Sequence, residues 1–68
     1  MLDNKFIGVW TIGMMSFSSE VREAVERKFL REVRLSDDWF YSVEVDGMKF
    51  FVCENGELGY TAMLPSEY

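Results

Sequence analysis

The dipeptide Asp46-Gly47 sits between two runs of alternating polarity, 39–45 and 48–54. An Asp-Gly pair can take positive φ at both central positions of a two-residue loop, so it favours a type I′ hairpin whose twist matches the flanking strands. A two-residue loop also fixes the register. Val45 faces Met48, Val43 faces Phe50, Tyr41 faces Val52 and Trp39 faces Glu54. The alternate row pairs Glu44 with Lys49, Ser42 with Phe51 and Phe40 with Cys53. One row is mostly apolar, and the other carries opposite charges at Glu44 and Lys49, as a cross-strand pair prefers.

A second turn signal follows at Glu54-Asn55-Gly56-Glu57, and its length decides which face the last strand shows. A three-residue loop with Gly56 in the left-handed region is expected. It places Leu58, Tyr60, Ala62 and Leu64 on the face of Val52, Phe50 and Met48, and it sets Gly59 across from Phe51. The other face of this meander then carries Phe40, Phe51, Cys53 and Met63 among Ser42, Glu44, Lys49 and Thr61.

Upstream, 6–15 is apolar on both alternating rows, which reads as a strand covered on both sides, with Gly8 and Gly13 interrupting it. Ser18 or Ser19 can cap a helix, and Val21, Val25, Phe29 and Val33 recur at i+4 to give it a buried stripe. Glu20, Glu23, Arg27, Arg31 and Arg34 gather on the opposite side. Pro65 ends strand pairing. The order is β-α-β-β-β in a single small domain, residues 1–68. The expected fold is α+β: one helix packed on one face of a four-stranded mixed sheet with a C-terminal antiparallel meander. A right-handed crossover makes the first two strands parallel, and the first strand is expected beside the last.

The 68 residues are 49% hydrophobic and 16% aromatic, enough for a packed core rather than disorder. No apolar run approaches the length of a membrane span, and no signal-peptide succession is present, so a cytoplasmic protein without membrane contact is expected. One cysteine and no histidine exclude an internal disulfide and a Cys/His zinc site, and no metal or cofactor is expected. Ser-His and Cys-His nucleophile pairs are excluded as well, and no phosphate-binding glycine motif occurs. Asp37 with Asp38, and Glu44 with Asp46, are the nearest carboxylate pairs. A solvated turn and a hairpin account for them better than acid-base catalysis or a Ca²⁺ loop, whose ligand spacing is incomplete. The chain is expected not to be an enzyme.

Net charge is −5 and unevenly placed. From residue 35 onward there are seven acids against Lys49 alone. Aromatic residues on a sheet can stack bases, but such platforms need a basic surround, so direct nucleic-acid binding is disfavoured. An acidic rim instead favours a basic protein surface. The expectation is a protein–protein interaction module, a small acidic binder or inhibitor of another protein. It would make contact through Phe40, Phe51, Cys53 and Met63 and be steered by Asp37, Asp38, Asp46, Glu54 and Glu57. A sharper version has the acids occupying a basic nucleic-acid-binding groove on the partner, as compact accessory proteins of phages and mobile elements can do. The alternatives are a homodimer through the uncovered sheet face and a small-ligand-binding domain; cover of the apolar patch by the first strand, the N-terminal segment or the Pro65 tail is expected equally with a free interface.

Overall fold

The computed structural model describes residues 5–36 and 38–68. The hairpin forms as its turn demands: Asp46 and Gly47 take φ of 53° and 79°, joining β2 (Phe40–Val45) to β3 (Met48–Glu54). Six of the seven expected pairs are present, from Val45 with Met48 to Phe40 with Cys53. The Glu54 N–H adds a bond to the Trp39 carbonyl (2.7 Å). With β4 (Tyr60–Met63) and β1 (Ile7–Trp10) the sheet order is β1-β4-β3-β2, β1 running parallel to β4 and the other pairs antiparallel. The fold is α+β, and the first strand does join the last.

Helix α2 (Ser19–Leu35) begins where Ser18 accepts a bond from the Val21 N–H (3.3 Å). It buries Val25, Phe29 and Val33 against the sheet, with Val21 and Leu30 half-buried beside them. The facing sheet residues are Ile7, Tyr41, Val43, Val45, Phe50, Val52, Tyr60 and Ala62. Phe29 lies at the centre, its ring 5.6 Å from Tyr41 and 4.7 Å from Tyr60. Among the described residues, α2 is the one long helix, so the other face of the sheet carries no long helix.

Two expectations are corrected. The first strand stops at Trp10 rather than running to Met15, because Thr11 caps a single helical turn, α1 (Ile12–Met15). Its hydroxyl accepts from the Met14 N–H (3.4 Å), and its carbonyl accepts from the Met15 N–H (3.0 Å). Only Met14 of this turn is fully buried; Ile12 is 90% exposed, so the double apolar row was not a strand covered on both sides.

The second correction is the length of the β3–β4 connection. It spans 55–59 and contains a 3-10 turn, Gly56–Leu58, instead of a three-residue loop. Val52 therefore pairs with Ala62 and Phe51 with Met63. The face assignment of Tyr60 and Ala62 survives because the added length is even. Gly59 does not face Phe51. It lies against Phe6, where a Cβ would stand 2.5 Å from the Phe6 carbonyl oxygen and 3.0 Å from its ring. Leu58 is exposed in the turn rather than placed on the core face, and Met48 is exposed as well. The cause is the approach of β1, whose Gly8 passes so close to the Leu58 carbonyl that a Cβ there would collide with it.

Candidate functional site

The open face of the sheet is built by strand parity. Phe40 of β2, Phe51 and Cys53 of β3, and Thr61 and Met63 of β4 share it, with Val9 of β1 beside Thr61. All six are half-buried, although no helix covers them. Phe40 and Phe51 lie 4.9 Å apart at 61°, within the range of edge-to-face attraction. Trp39 adds its ring 5.6 Å from Phe40 and is 57% exposed. At the hairpin end the same face turns polar, with Ser42, Glu44 and Lys49 exposed.

Tyr68 joins this face, so the tail after Pro65 is the expected cover that the fold uses. Leu64 leaves β4 half-buried, and Pro65–Glu67 forms a 3-10 turn that folds the following residue back over the sheet. Tyr68 then sits 5.5 Å from Phe40 and 5.7 Å from Phe51, edge-to-face with both. Glu67 fixes this turn. Its carboxylate accepts from the Thr11 hydroxyl (2.6 Å), the Leu64 N–H (2.8 Å) and the Gly13 N–H (3.0 Å). These bonds, that from Thr11 foremost, hold its carboxyl below the usual range. Glu67, one of the seven acids in the second half of the chain, is thus engaged internally.

The acids expected to steer a partner are divided by the fold. Glu54 ends β3, and Glu57 lies in the turn that follows. Asp38 stands at the same end of the sheet, because buried tyrosines tie the α2–β2 connection down. The Tyr41 hydroxyl donates to the Ser36 carbonyl (2.5 Å) and accepts from the Asp38 N–H (2.8 Å), while the Tyr60 hydroxyl donates to the Asp38 carbonyl (2.6 Å). The Asp38 carboxylate accepts from the Trp39 N–H (2.7 Å). Asp46 lies in the opposite turn, roughly 20 Å from Phe40 at ~3.3 Å per strand residue, and does not join this group. Asp37 lies outside the described residues.

Burial pushes the Cys53 thiol up from its ordinary value, which disfavours the reactive thiolate. Among the described residues, no group of three or more metal-ligating side chains is assembled. No helix among them is long and apolar enough to cross a membrane. One groove of about 250 Å³ runs along the edge strand β2, lined by Lys28, Arg31, Glu32 and Glu44, and lies open to solvent. There Lys28 Nζ donates to the Glu44 carbonyl (2.5 Å), placing a charge on the exposed sheet edge. Comparison with known protein families, with curated proteins and with solved structures gives no match for this chain.

Proposed function

We propose that this chain is a non-enzymatic protein-binding module that contacts its partner through the aromatic end of the open sheet face. The observation that carries the reading is the ring cluster of Phe40, Phe51 and Tyr68 on the open sheet face, with Trp39 against Phe40 and with Asp38, Glu54 and Glu57 at the same end. An aromatic centre, half-buried at Phe40 and Phe51, with a charged, solvated border has the anatomy of a protein interface, and large aromatic side chains carry much of the energy at such surfaces. The border is acidic and the whole chain carries −5, so the partner presents a basic rim around an apolar centre. A basic nucleic-acid-binding groove is one surface of that chemistry, and blocking it would make the chain an inhibitor. Two copies meeting face to face would bring their Asp38, Glu54 and Glu57 groups together, which disfavours the homodimer. The open grooves give little support to the small-ligand alternative, since a specific site buries most of its ligand. A cytoplasmic location belongs to the same proposal and rests on composition alone.

The test compares immobilised wild-type chain with Phe51→Glu, after circular dichroism has shown that the variant keeps its fold. The expected result is a basic protein retained by wild type, lost with Phe51→Glu and released by raising salt toward 0.5 M, where the screening length falls to roughly 4 Å. Equal retention by both chains refutes the face as the contact surface. Light scattering decides the alternative: a salt-indifferent dimer that Phe51→Glu turns into a monomer would replace the partner reading with self-association.

A further inference from the structure

We propose that the edge-to-face pair of Phe40 and Phe51 is a seat for an aromatic side chain, that Tyr68 is its resident occupant, and that a partner engages the face by replacing that ring. The inference rests on the protein-binding reading above and supplies the chemistry of the partner's contact residue. Tyr68 meets both rings edge-on, the geometry an incoming phenylalanine, tyrosine or tryptophan would reproduce. Yet Tyr68 remains 69% exposed, whereas the core aromatics Phe29 and Phe50 are fully buried. It occupies the seat without closing it. A partner ring carried on its own backbone would bury the surface that Tyr68 leaves in water.

The preceding residue anchors the turn that carries Tyr68. The three bonds of Glu67 run to Thr11 and Gly13 at the β1–α1 corner and to Leu64 within the turn itself. Gly13 is approached so closely that a Cβ would stand 2.6 Å from Glu67 Oε2 and 2.8 Å from the Leu64 side chain. The anchor and the cover are therefore adjacent but separable: Tyr68 can leave the seat while Glu67 stays bound, or both can leave together when the anchor is broken. The partner segment carries an exposed aromatic residue, with basic residues beside it to meet Asp38, Glu54 and Glu57.

The seat is tested on the full chain alone, with Nile red as a neutral aromatic probe. Tyr68→Ala is expected to raise the emission of bound dye severalfold, and Phe51→Ser in the same chain to return it to the wild-type level. Emission no higher in Tyr68→Ala than in wild type overturns the seat. So does a gain that survives Phe51→Ser, since the dye would then sit on another exposed apolar residue. Glu67→Ala is expected to move the Phe51 ring-proton shifts to the values seen in Tyr68→Ala; shifts unchanged from wild type overturn the anchor. A basic partner is expected to bind Tyr68→Ala more tightly than wild type. Equal affinity overturns the exchange while leaving the protein-binding reading intact. Dye results as expected in a chain that captures no protein would keep the seat and refute that reading.

Discussion

Replacing Tyr41 by Phe removes one oxygen from a side chain that is otherwise enclosed. That oxygen donates to the Ser36 carbonyl (2.5 Å) and accepts from the Asp38 N–H (2.8 Å). Both partners belong to exposed residues, so water can take over their bonds and no buried group is stranded. Each bond then counts at its net value of about 0.5–1.5 kcal/mol, and the greater apolarity of Phe offsets part of the loss. The expected cost is about 1–2 kcal/mol, against a total stability on the order of 3–10 kcal/mol for a chain of this length. At roughly 4–8 °C per kcal/mol, Tm falls by about 5–15 °C. Urea denaturation should show a lower midpoint with an unchanged slope, because the ring keeps its neighbours Phe29 (5.6 Å) and Tyr60 (6.1 Å). Tyr60→Phe acts on the same connection through Asp38, so the double variant should lose less than the sum of the two single losses. A Tyr41→Phe chain within about 0.3 kcal/mol of wild type would refute the claim that this hydroxyl ties the α2–β2 connection, and strictly additive losses would refute the coupling.

Gly8→Ala drives a Cβ into the Leu58 carbonyl, which only a shift of β1 or of the Gly56–Leu58 turn can relieve. The expected loss is about 1–3 kcal/mol by thermal or urea denaturation, and a neutral result would mean that the close approach is not maintained. Glu67 gives a pH dependence of definite sign: its folded carboxyl lies below the ordinary value of 4.5, so its contribution is complete above that pH and is lost as pH falls through the folded value. Acidification through that window should shift the Gly13 and Leu64 amide proton resonances in wild type, whose N–H groups donate to this carboxylate, and leave them unmoved in Glu67→Ala. The Cys53 thiol, pushed up by burial, should react more slowly with a disulfide reagent at pH 8 than the same cysteine in urea-unfolded chain; equal rates would contradict the packing of β3 and β4 around it.

What was legible in the chain was what short-range chemistry decides. Asp46-Gly47 sets the hairpin and, through it, all six pairs of β2 with β3, because no distant residue has a say in a two-residue loop. Ser18 and the i+4 valines place α2 for the same reason. The misreadings both involve partners far along the chain. Thr11 stops the first strand, and the carboxylate that its hydroxyl meets belongs to Glu67, 56 positions away. The β3–β4 connection is lengthened around the approach of Gly8 and Phe6 from β1. Alternation along 54–60 cannot report that contact, since the constraint lies in another strand.

The open face raises a different question: whether its apolar residues are only what a small fold leaves over. One main helix covers one side of a four-stranded sheet, so some surface must face water whatever the sequence. A leftover face would be polar along its whole length, as antiparallel sheets with one solvated side are. Here the change of character falls in mid-strand. Ser42, Glu44 and Lys49 meet that expectation toward the hairpin, whereas Phe40, Phe51, Cys53 and Met63 depart from it at the other end. That end is also where Trp39 is held out by the tethered Asp38, where Glu54 and Glu57 border the sheet, and where Tyr68 is brought back by Glu67. Strand parity made the apolar four visible in advance. The tail after Pro65 was among the expected covers, but its anchor was not legible, because Glu67 reaches Thr11 and Gly13 across the fold. Size explains why no long helix covers the face, but it does not explain why the aromatic residues, the acids and the anchored turn converge on one end of it.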